Sequence, residues 1–146
     1  VKFESTLKSV AVALTMTLAL ASAGNAMADE AKKEHNAVLH VNQNDTVAWN
    51  QALNNATNML KAMGKDKLNV EIVMNGAGLD MVKLESPVAG RIPDVLAAGV
   101  ELKACGQTMK AAHVTAEDLA PGVQVVPGGM AEILQKEEAG WSYIKM

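Results

Sequence analysis

Three things are scarce in this sequence, and each shortage narrows what the protein can be. It has a single cysteine, Cys105, so no internal disulfide can form and the thiol is either a reactive group or a small buried hydrophobe. Aromatic residues make up 3% of the chain. Past residue 28 only Trp49, Trp141 and Tyr143 remain, so the core must be built from Val, Leu, Ile, Ala and Met. Basic charge is outweighed, 13 Lys and Arg against 16 Asp and Glu. That balance argues against nucleic acid and anionic membrane surfaces, which select basic patches.

Several chemical signatures are missing too. Asn75-Gly76-Ala77-Gly78 lacks the spacing and the lysine of a P-loop and the full dinucleotide fingerprint, so it reads as a turn. No serine-histidine-acid arrangement is legible. His40, near the end of the first strand, His113 and Cys105 are the candidate metal ligands, and no pair among them has a metal motif's short spacing. No metal and no cofactor are expected.

The N-terminus carries a recognisable pattern. Lys2 and Lys8 precede an uncharged apolar run, Val10 to Ala23, and Ala26-Met27-Ala28 then supplies a small-x-small cleavage pattern before Asp29-Glu30. The run is shorter than the roughly 20 residues a spanning helix needs, so residues 1–28 read as a cleavable signal peptide. The expectation is a periplasmic or secreted protein with no membrane attachment after cleavage. Taking 28 residues from 146 leaves 118, with 11 basic against 15 acidic side chains, net −4. Residues 29–36 are charged and read as a flexible lead-in; residues 37–146 are the size of one domain.

Within that domain apolar runs alternate with helical patterns. Ala37 to Val41, Leu68 to Met74, Val100 to Ala104, Val123 to Val126 and Trp141 to Lys145 read as strands. Between Thr46 and Met63, residues Trp49, Leu53, Ala56, Leu60 and Met63 recur at helical spacing, with Asp45 as N-cap and Gly64 as terminator. Shorter helices are predicted from Pro93 to Ala98, Gln107 to His113 and Met130 to Glu138, and a short turn of helix near Leu79 to Lys83. Near-continuous apolar strands alternating with helices indicate an α/β three-layer sandwich. Its sheet is open, mostly parallel and five-stranded, with flavodoxin-like strand order and both faces covered. Asn54 and Asn58 stack one turn apart on the long helix, a face that is solvated or turned to a neighbouring subunit.

In such sheets reactive groups collect at the carboxyl ends of the strands. Four loops leave that edge: 42–45, 75–78, 104–107 and 127–129. Cys105 lies in one of them, at a strand-to-helix junction where first-turn N–H groups favour a thiolate. It is the candidate catalytic residue. His40, Asn42, Asn75, Gly76, Gly106, Gln107, Gly128 and Gly129 are the candidate binding residues around it.

The segment Ala104-Cys105-Gly106-Gln107-Thr108-Met109 after an apolar strand resembles the cysteine motif of the DsrE/DsrF-like family. The helix Trp49 to Leu60, the strand Val38 to Asn42, the loop Asn75-Gly76-Ala77-Gly78-Leu79 and the segment Val125-Val126-Pro127-Gly128-Gly129 are similar to that family in the same order. The resemblance implies a small DsrE-like α/β protein, usually oligomeric, in which a cysteine at the position of Cys105 accepts a sulfane sulfur as a persulfide and passes it on. It implies a sulfur carrier or sulfurtransferase-like protein rather than a turnover enzyme, with a sulfur donor and acceptor as partners and a homo-oligomeric state. A leader is a departure, because the well-known sulfur-relay members work in the cytoplasm. The alternative is a binding or assembly module of the same fold with a structural cysteine.

Overall fold

The computed structural model describes residues 35–146. The leader read over residues 1–28, and the lead-in up to residue 34, lie outside the described residues. Among the described residues no helix is long and apolar enough to cross a membrane.

Five strands, β1 (His35–Val41), β2 (Leu68–Met74), β3 (Val100–Cys105), β4 (Gln124–Val126) and β5 (Ser142–Lys145), form one sheet in the order β4-β3-β2-β1-β5. Every pairing is parallel. The order differs from the expected flavodoxin arrangement of 2-1-3-4-5. Here the chain steps one way from β1 to β4 and only then crosses back to β5. β1 also begins two residues before the pattern suggests, because His35 donates its N–H to Lys67 O at 2.9 Å and Asn36 accepts from Asn69 Nδ2 at 2.8 Å.

Crossovers between parallel strands are right-handed, so three steps in one direction put their helices on one face and the return step puts its helix on the other. α1 (Thr46–Met63), a 3-10 segment (Gly76–Val82), α2 (Ile92–Ala97) and α3 (Gly106–Ala111) follow the first three strands. Their apolar side chains, Leu53, Leu79, Ile92 and Met109 among them, join one large cluster with Leu39, Ile72 and Leu102. Those three strand residues are in register with each other and fully buried. Each such side chain contributes roughly 1.5–3 kcal/mol through burial. α4 (Gly129–Glu138) alone lies on the opposite face, where Val38, Val73, Ile133 and Trp141 make a small second cluster.

α1 starts as its sequence dictates. Asp45 Oδ1 accepts from Val47 N at 2.8 Å and Ala48 N at 3.4 Å, and Gly64, at φ 92°, ends the helix. The Oδ1 atoms of Asn50 and Asn54 accept from Arg91 at 2.5 and 2.6 Å and tie α1 to the residue that precedes α2.

Candidate functional site

β3 ends on Cys105, and the next residue begins α3, so the thiol stands at the carboxyl edge of the sheet as the N-cap residue of that helix. The side chain is 5% exposed. α4 returns over this edge from the other face and sets Gly129 against it. A Cβ on Gly129 would sit 3.1 Å from Cys105 Cβ, 3.2 Å from Asn75 Cβ and 3.2 Å from Val73 Cγ1. The absent side chain is what lets the first turn of α4 close on the sulfur. Gly78 meets a harder limit in the neighbouring loop, since a Cβ there would fall 2.3 Å from Val41 O.

Burial by itself would push the Cys105 pKa up. The Thr108 hydroxyl and the backbone N–H groups of Gly129, Thr108 and Gln107 outweigh it, and the net result is a thiol pKa below its ordinary value. The Cys105 side chain itself makes no capping hydrogen bond to the first turn of α3. The Thr108 hydroxyl and the three N–H groups surround the sulfur as dipoles that favour its negative form. Thr108 is oriented for this: its Oγ1 accepts the Gly76 N–H at 3.0 Å, which leaves its own proton to be donated elsewhere.

A second chain of polar contacts reaches the same edge. His40 is buried on β1, yet both ring nitrogens are used. Nε2 lies 2.9 Å from Asn75 Oδ1, and Nδ1 lies 2.8 Å from the Tyr143 hydroxyl. The amide oxygen facing Nε2 assigns the proton of a neutral ring to that nitrogen, and Nδ1 is then the acceptor for the Tyr143 O–H. Tyr143 is half-exposed on the edge strand β5.

The structure therefore brings together Cys105, Asn75, Gly76, Gly106, Gln107, Gly128 and Gly129, with His40 joined through Asn75. Gln107 contributes its backbone N–H while its side chain is exposed. Gly106 packs against β4, where a Cβ would lie 3.0 Å from Val126 O. Gly128 is the N-cap residue of α4. Asn42 is exposed and takes no part in these hydrogen bonds among the described residues. His113 lies past the far end of α3 at φ 55°, away from the strand ends. Among the described residues no group of three His, Cys, Asp or Glu side chains could hold a metal ion. The 75–78 loop has already committed N–H groups that a phosphate would need, Gly76 to Thr108 and Gly78 to Asn75 O at 3.0 Å.

Thr108 and Tyr143 are absent from the expected site. Thr108 was findable, since a hydroxyl three residues beyond a cysteine N-cap can turn back toward it. Tyr143 was not, because its role depends on β5 returning beside β1.

The profile of the DsrE/DsrF-like family matches residues 13–146. The chain belongs to the DsrE/DsrF-like family. Two solved structures are similar to this family member. A protein of unknown function, MTH1491 from Methanobacterium thermoautotrophicum, is 25% identical with a TM-score of 0.73, covering 77% of this chain and 99% of its own. A second, the conserved protein of unknown function BT1422 from Bacteroides thetaiotaomicron, is 21% identical with a TM-score of 0.62, covering 77% of this chain and 95% of its own. The α/β fold is thus that of DsrE-like proteins. No curated protein sequence matches the chain.

Proposed function

We propose that this DsrE/DsrF-like protein carries sulfane sulfur as a persulfide on Cys105. The observation that supports it is the ring of donors around the sulfur, which lowers the thiol pKa even though the side chain is buried. Family membership points the same way, toward a sulfur-relay role.

The step balances without an added oxidant. The Cys105 thiolate attacks the outer sulfur of a sulfane donor, a new S–S bond forms, and the donor's own S–S bond breaks. The electron pair leaves with the donor remainder, which is sulfite when the donor is thiosulfate and a shortened chain when it is a polysulfide. The Cys105 persulfide then gives up its outer sulfur to the next thiolate, and Cys105 leaves as a thiolate again. The protein ends unchanged, as a carrier does. With so little of the sulfur exposed, the reading favours a slender donor. It also includes a homo-oligomer, in which a neighbouring copy would shield the persulfide from water, and a periplasmic or secreted location.

Incubation with polysulfide or thiosulfate, followed by intact mass measurement without reducing agent, tests the proposal. Gain of one sulfur that Cys105→Ser abolishes is the expected result; no gain would contradict it. The burial of Cys105 is the one observation that favours the second reading, a structural cysteine. That reading requires a thiol that resists labelling until the fold is opened.

A further inference from the structure

The geometry points to Asn75 as the hydrogen-bond donor to the transferred sulfur: its side-chain N–H₂ donates to the outer sulfur of a Cys105 persulfide, and His40 with Tyr143 holds the amide in the orientation this needs. The inference rests on the reading of Cys105 as the sulfur-accepting residue.

A persulfide carries its negative charge on the terminal sulfur, which lies about 2 Å beyond Sγ. Thr108, Gly129 and Gln107 act on Sγ itself. The terminal atom needs a donor of its own, or burial would strip its charge of any partner. A Cβ on Gly129 would crowd both Asn75 Cβ and Cys105 Cβ, at 3.2 and 3.1 Å, and the two residues follow the paired Met74 and Ala104, so their side chains leave the sheet side by side under the first turn of α4. Asn75 Oδ1 is committed to His40 Nε2 at 2.9 Å. That leaves Nδ2, which has no hydrogen-bond partner among the described residues. An amide fits the task better than a carboxylate, because it offers donors without a negative charge to repel the sulfur anion.

The orientation is fixed from behind. An unsupported asparagine can turn its amide over and present the oxygen instead. His40, 4% exposed, faces Oδ1 with Nε2 while its Nδ1 lies 2.8 Å from the Tyr143 hydroxyl, so a neutral ring that donates to Oδ1 is one whose Nδ1 accepts from Tyr143. His40 and Tyr143 are therefore positioning residues, and Asn75 is the one that touches the reacting sulfur.

The test uses the full chain, inorganic polysulfide as the probe, and two readouts. One is the yield and half-life of the one-sulfur adduct by intact mass; the other is the alkylation rate of the free thiol by iodoacetamide. Asn75→Leu is expected to shorten the adduct half-life about tenfold, the order of one hydrogen bond to a charged atom, with alkylation changed by no more than about twofold. Tyr143→Phe, at a half-exposed position the fold tolerates, is expected to shorten the half-life by a smaller factor and leave alkylation as it is. Wild-type yield and half-life in Asn75→Leu overturn the assignment while leaving Cys105 as the acceptor. Should Asn75→Leu fail to fold, an unchanged half-life in Tyr143→Phe overturns it instead. No adduct on the wild-type chain overturns the carrier reading and the Asn75 role together.

Discussion

Gly76 donates its backbone N–H to Thr108 Oγ1 at 3.0 Å, so a loop after β2 orients a hydroxyl on the helix after β3. The consequence falls on Cys105, whose thiolate that hydroxyl favours. Thr108→Val, which keeps the shape and removes the hydroxyl, is expected to raise the Cys105 pKa, and Thr108→Ser to leave it where the wild type has it. The pH dependence of iodoacetamide alkylation measures both. A Thr108→Val profile that overlays the wild type would show that the hydroxyl does not act on the sulfur.

The wild-type profile itself has a defined sign. Cys105 has its pKa lowered in the folded chain, so the thiolate persists to lower pH than in an unfolded peptide. Alkylation should rise with pH and level off with a midpoint below the free-cysteine value of about 8.5. The matching stability is present above the unfolded pKa and is lost as pH falls through the folded one. Denaturation of wild type and Cys105→Ser at several pH values reads this second effect.

Gly129 is the place where α4 meets the thiol. A Cβ there would press on Cys105 Cβ, Asn75 Cβ and Val73 Cγ1 at once, with no flexible side-chain end to give way. Gly129→Ala should cost about 1–3 kcal/mol in urea denaturation and raise the thiol pKa by moving the Gly129 N–H away from the sulfur. A full-stability variant with unaltered alkylation would show that α4 does not need so close a seat.

Away from the site, α4 is held over the sheet by a buried charge. Glu71 is fully buried, with Lys136 Nζ 2.8 Å from Oε2 and no well-aligned hydrogen bond to either carboxylate oxygen. Lys136 in turn lies 4.2 Å over the Trp141 ring. Desolvation raises the Glu71 pKa, and Lys136 offsets only part of it. Lys136→Met should therefore cost about 3–5 kcal/mol, because the carboxylate is left buried and unpaired. Glu71→Gln should cost far less. With a raised pKa the carboxyl binds its proton more tightly when folded, so this group's share of stability falls as pH rises from the unfolded value through the folded one. Glu71→Gln should remove that slope, which thermal denaturation across the acid range can measure.

Much of this fold can be read from local pattern, because each strand is a short apolar run and each helix has a boundary residue. Asp45 and Gly64 mark the ends of α1 by their own chemistry. Strand order could not be read the same way. It depends on which direction each crossover steps, and Ser142 to Lys145 carries no mark saying that β5 returns beside β1. The same limit governs the site. Cys105, Gly106 and Gln107 are neighbours in sequence, and Gly129 opens the helix after β4, at the edge to which any parallel sheet sends that junction. The Tyr143–His40–Asn75 chain joins residues more than a hundred positions apart, so only the assembled sheet reveals it. The Arg91 contact of Asn54 is hidden for a related reason: Arg91 lies 37 residues on, just before α2, and nothing near Asn54 in sequence announces it.

The central claim is that Cys105 holds a transferable sulfur, and intact mass after exposure to polysulfide tests it most directly. The account predicts a wild-type adduct of one sulfur, none on Cys105→Ser, and return to the starting mass when an acceptor thiol is added. A wild-type chain whose mass does not change, although its thiol alkylates readily, would contradict it.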